Sequence, residues 1–143
     1  MRTRFSMMLA ALWWGSLTGL FVVVPMLFLH LGSPAVAGAM AARLFSAQTW
    51  LSTACIMFML LALNKRGDPA QISWGSGAMK PVVAGLLLAL LVEFGVAPHI
   101  ISARAGGGNL KFWHGLGSAM LLGQWLCAGI TLWRLTRHTD STG

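Results

Sequence analysis

Polar side chains interrupt the apolar pattern of this chain at only a few places, and the intervals between them define its architecture. Apolar residues dominate four long runs, over 6–31, 35–63, 80–101 and 110–135. A helix needs about 20 such residues to cross roughly 30 Å of hydrocarbon, rising about 1.5 Å per residue. The pattern therefore predicts an all-α fold, an integral membrane four-helix bundle that forms a single transmembrane domain over residues 1–143. Residues 136–143 are polar and are expected to be a disordered tail. The link Gly32-Ser33-Pro34 is short and uncharged. The stretch from Asn64 to Met79 is the longest polar interruption, with Pro69 blocking helix continuation and Trp74 expected at the lipid headgroups. The turn Ala105 to Asn109 lacks the spacing of a phosphate loop and reads as a plain flexible turn. Pro25 is expected to kink the first helix.

Composition sharpens this picture. The chain is 57% hydrophobic and 9% charged, with a mean hydropathy of +0.73, which excludes an ordinary soluble domain. Its net charge of +7 does not point to nucleic acid, because the basic residues sit mainly at segment ends, as membrane anchors do. The first run is too long for the core of a signal peptide and is expected to remain as a helix. Cys55 and Cys127 both fall inside apolar runs and read as small packing residues. The Arg-Gly-Asp triplet at 66–68 lies on the side predicted to be cytoplasmic, which argues against adhesion.

That side follows from the positive charges. Arg2, Arg4, Lys65, Arg66, Lys80, Arg134 and Arg137 share one side, whereas only Arg104 and Lys111 lie on the other. The excess predicts both termini in the cytoplasm. Helical rise then places Arg43 and Glu93 roughly 12 Å below the outer surface and His114 roughly 6 Å below it. His30 and His99 lie nearer that surface. A lone carboxylate in hydrocarbon tends to become neutral and a lone Arg draws in water or headgroups, so Arg43 and Glu93 are expected to pair.

The candidate polar intramembrane site is thus Arg43, Glu93, His99 and His114, with His30, Gln48 and Arg104 as further contributors. Its clustering in the outer half suggests a small membrane protein that binds or passes a small polar solute or ion. An alternative is a haem- or copper-binding membrane protein, in which His30, His99 and His114 act with Met26, Met40 and Met120. No two histidines share a helix at ligand spacing, so no metal set and no cofactor are assigned. A third reading is a non-catalytic assembly partner. Gly15 and Gly19 on helix one, and Gly115, Ala119 and Gly123 on helix four, recur every four residues and would admit a second copy, another membrane protein or each other. An enzyme is not expected, because there is neither an activated nucleophile nor a second carboxylate near Glu93. The lipid bilayer is the one partner common to all these readings.

Short motifs are spread along most of the chain: Trp14-Gly15; Val24-Pro25-Met26-Leu27-Phe28; Ala37-Gly38 leading to Leu44-Phe45; Glu93, Pro98 and Arg104; and Phe112 with His114-Gly115. In these the chain resembles the transmembrane-protein-205-like family, small four-helix membrane proteins classed in bacteria as a domain of unknown function. The resemblance implies the fold and a multi-pass location in the bacterial inner membrane. It implies no established activity. This chain departs from the family at helix four, where Gly117 stands three residues after His114 and Ser118 follows.

The topology has a direct test. Single cysteines introduced as Gly107→Cys and Gly75→Cys are expected to react with impermeant reagents from outside and from inside, respectively. The reverse pattern would overturn the orientation.

Overall fold

A computed structural model describes residues 2–63 and 77–140 of the chain. The predicted places of Trp74, Pro69 and the Arg-Gly-Asp triplet lie outside the described residues. Helix α1 covers Arg2–His30 and α2 covers Pro34–Leu63. The third span is α3 over Met79–Leu90, a π-helical segment over Leu91–Val96, and α4 over Ala97–Gly106. The fourth span is α5 over Leu110–Asp140. All four spans are long and apolar enough to cross a membrane.

The boundaries have local causes. Pro34 opens α2 at the position where a missing N–H costs nothing, and the Ala37 N–H closes the first turn on the Ser33 carbonyl at 3.0 Å. Two residues shape the turn into α5. Gly107 adopts φ 75°, the left-handed conformation that ends a helix, and the Asn109 side chain accepts the Phe112 N–H at 3.1 Å as an N-cap. Helix α1 continues through Pro25 as one element. Helix α5 runs past Leu135 to Asp140, and residues 141–143 of the expected tail lie outside the described residues.

Each span packs on its neighbours in sequence, and α5 returns to pack on α1, which closes an up-down-up-down bundle. We call the end holding the turns 31–33 and 107–109 the hairpin end, and the other the terminal end. Large apolar side chains such as Met8, Leu29, Phe94, Ile101 and Trp133 are exposed around the outside, where they meet lipid. The interior holds Trp13, Leu17, Ile56, Met59 and Val82, together with polar Ser6, Gln48, Thr49, Ser52, Gln124 and Thr131.

Close approach inside the bundle falls on glycines other than those of the expected stripes. Trp13 on α1 is fully buried and lies directly on Gly85 of α3, so that a methyl group there would collide with its ring. Trp14 rests on Gly129, Leu88 on Gly123 and the Arg134 side chain on Gly77, whose carbonyl accepts an Arg134 N–H. Gly15, Gly19 and Gly115 have nothing within 4 Å of the space a side chain would fill, and Ala119 is exposed. Helices one and four do pack on each other, but through tryptophan: Trp14 meets Trp125 with ring centroids 5.6 Å apart, and Trp125 Nε1 donates to Thr18 Oγ1 at 2.9 Å.

Gly85→Ala forces a rigid, enclosed indole to move and is expected to cost about 1–3 kcal/mol, read as a lowered unfolding temperature in detergent. Gly15→Ala is expected to leave that temperature unchanged.

Candidate functional site: a carboxylate in a widened helical turn

Pro98 shapes the third span. It has no N–H to donate, and its ring would meet the carbonyl of Phe94 in a regular α-helix. The chain responds by widening the preceding turn: the Ala97 N–H bonds the Val92 carbonyl, one residue further back than in an α-helix. Pro98 then falls in the first turn of α4, where no N–H is needed. The Glu93 carbonyl consequently receives no N–H from Ala97, which bonds Val92, and none from Pro98, which has none. Single widened turns of this kind occur frequently at functional sites.

Glu93 lies within that turn and is the only acidic residue in the membrane-crossing stretches Arg4–His30, Pro34–Ala62, Met79–Gly106 and Leu110–Arg137. It is half-buried, and its Oε1 accepts a hydrogen bond from Ser46 Oγ on α2 at 2.7 Å. The partner differs from the expected one. Among the described residues Arg43 and Glu93 form no ion pair, and Arg43, one turn before Ser46, is exposed. The reason is rotational. Gly38 and Ala41 share the buried side of α2, and Arg43 falls outside it. Its long stem can carry the charge outward at lower cost than burial.

The other predicted residues are distributed as follows. Arg104 crosses from α4 to α2, its guanidinium lying on buried Gly38, where a methyl group would meet Nη2 at 2.9 Å. His99 is exposed, but it is tied to the widened turn: its Nδ1 lies 2.7 Å from the Gly95 carbonyl and its ring stacks on Trp113 at 4.2 Å. His114 is exposed on α5. His30 is exposed on α1 and bonds only its own helix, 3.0 Å from the Met26 carbonyl. No group of three or more His, Cys, Asp or Glu among the described residues is placed to hold a metal ion, and Cys55 and Cys127 are both free thiols.

Gln48 has a more central place than its sequence context suggests. It is buried, and its Nε2 donates to Ser16 Oγ on α1 at 2.9 Å and to Ser52 Oγ at 3.1 Å. Ser46, Ser16, Ser52 and Gln124 were not singled out from the sequence. The available signal was the polar sequence 46, 48, 49, 52 and 53 along one helix, which marks an inward polar face once the spans are known. A groove of about 420 Å³ between α1 and α5 is lined by Trp14, Gly129, Leu132, Trp133 and Thr136; it lies toward the terminal end, away from Glu93.

Residues 8–109 match the family described as a domain of unknown function, DUF4149. The chain belongs to this family. The matched region of this DUF4149 protein contains Ser16, Ser46, Gln48, Ser52 and Glu93, and stops before α5. No curated protein and no solved structure matches the chain.

A double-mutant cycle on unfolding in detergent tests the geometry. Ser46→Ala and Glu93→Gln are expected to be coupled by about 0.5–2 kcal/mol, in the range found for hydrogen bonds between membrane helices. Arg43→Leu and Glu93→Gln are expected to be additive.

Proposed function

We propose that this DUF4149 protein binds or passes a small polar solute or ion across a cell membrane, at a site centred on Glu93. The observation that carries this reading is a membrane-embedded carboxylate with no cationic partner among the described residues, held by a hydroxyl from the neighbouring helix in a turn widened around it. A purely structural carboxylate would be expected to meet a cation, because an uncompensated charge in hydrocarbon costs several kcal/mol or takes up a proton. Glu93 and Ser46 form the centre, and Gln48 continues the polar surface inward. His99, His114 and Arg104 form the hairpin-end mouth, with Arg43 and His30 on its outer surface. The protein performs no chemistry on what it carries. Both termini face the cytoplasm by the charge asymmetry, and the resemblance to transmembrane-protein-205-like proteins supports a bacterial inner membrane. No observation among the described residues favours a haem or copper site.

One observation favours a second reading, a partner that docks other membrane helices. Gly15, Gly19 and Gly115 present open surface to lipid, where small residues let a second copy or another protein approach closely. The same experiment separates the two. In vesicles reconstituted with purified protein, Glu93→Gln is expected to abolish solute or ion uptake while folded yield is retained. Unchanged uptake, or no uptake by the wild type, would reject the site and leave the docking role.

A further inference from the structure

Among the described residues, four side-chain atoms buried inside the bundle have no hydrogen-bond partner: Ser6 Oγ, Trp13 Nε1, Thr53 Oγ1 and Gln124 Oε1. Ser6 and Trp13 are fully enclosed and Gln124 is 1% exposed. A donor or acceptor left unpaired in such surroundings costs about 1–3 kcal/mol, so each is a position where a buried water gains hydrogen bonds.

Their axial order is informative. Ser16 meets Gln48, Thr18 meets Trp125, and Leu88 packs on Gly123. Through these contacts Gln48 and Gln124 stand at the level of residues 16–19 of α1. Trp13 lies one turn nearer the terminal end, and Ser52, hydrogen-bonded to Gln48, has Thr53 beside it at about that depth. Ser6 lies about two turns further on. Glu93 and Ser46 stand on the opposite, hairpin side of Gln48. The polar groups therefore succeed one another in axial level from Glu93 toward the terminal end, an axial file spanning roughly 20 Å at about 1.5 Å of rise per residue.

We propose that the ion served by Glu93 is the proton, and that this file, completed by water at the four unpartnered atoms, connects the carboxyl to the terminal-end surface. The inference rests on the reading of Glu93 as the centre of an ion or solute site. Carboxylates inside membrane spans serve as proton relays in membrane proteins. The file contains hydroxyls, amides and one indole but no fixed charge, which suits a proton passed along hydrogen bonds better than a metal cation that must shed its hydration shell. In each passage the Glu93 O–H bond breaks and its proton moves to the adjoining water. The excess proton is relayed along the file, and one proton leaves at Ser6. A proton arriving from the hairpin end then re-forms the acid, so one proton crosses and nothing else is consumed.

The test uses the full chain in vesicles loaded with a pH-sensitive dye, under a potassium diffusion potential, with parallel uptake of radioactive sodium and rubidium. Wild type is expected to carry protons and Glu93→Gln to stop them. Gln124→Leu replaces a buried amide with an unpartnered oxygen by an apolar side chain of similar size, so it is expected to keep or raise the unfolding temperature while cutting proton flux at least about tenfold, equivalent to roughly 1.4 kcal/mol on the barrier. Proton flux unchanged in a folded Gln124→Leu protein overturns the file. Uptake of sodium or rubidium that depends on Glu93, without proton flux, overturns the proton and leaves the ion site standing. No flux of any of the three overturns both.

Discussion

Hydrocarbon reverses the usual economy of a protein interior, and every feature of this chain follows from that reversal. Apolar side chains lose nothing by facing outward, so the surface carries Met8, Leu29, Phe94 and Trp133. Polar groups instead turn to the inside of the bundle for partners, because the lipid offers none. Gln48 obtains two from hydroxyls on two helices, Trp125 finds Thr18, and Glu93 finds Ser46. The helices are then held by these bonds and by close packing rather than by exclusion of water. Trp13 is the largest fully buried side chain among the described residues, and it lies against Gly85 of α3.

One residue without an N–H sets the geometry of the site. Pro98 cannot complete the α-helical ladder, the ladder shifts to the wider register over Leu91–Val96, and the shift leaves the Glu93 carbonyl without a helical donor. A regular helix carried through this stretch would rotate Glu93 relative to the residues before it and alter its approach to Ser46. His99 is drawn into the same region, because its ring nitrogen reaches the Gly95 carbonyl inside the widened turn. The feature that breaks the helix and the feature that carries the charge are thus one local structure.

The small residues divide into two groups with different consequences. Gly38, Gly77, Gly85, Gly123 and Gly129 are occupied, each by a side chain from another helix. Gly15, Gly19 and Gly115 are open, which leaves the bundle with smooth strips on α1 and α5 facing lipid. Four-residue spacing alone does not separate these groups: Gly115 and Gly123 lie on one stripe yet only Gly123 is covered.

Much of the architecture was legible in the chain itself. Four spans, their up-and-down order and the shared side of both termini follow from the lengths of apolar runs and from the charges at their ends, because spanning a bilayer demands a fixed length of unbroken helix whatever its neighbours are. The concentration of cost at Glu93 was equally legible, since an acidic residue inside a span needs an explanation in any fold. Partner choice was not. Arg43 and Glu93 share a depth by residue counting, yet which residue of α2 faces Glu93 depends on the rotation of two helices about their axes, and Ser46 takes that place. Depth is a property of a sequence position, counted along one helix. Facing is a property of a pair of helices, decided here by how Trp13 meets Gly85, by Arg104 lying on Gly38 and by the register shift before Pro98.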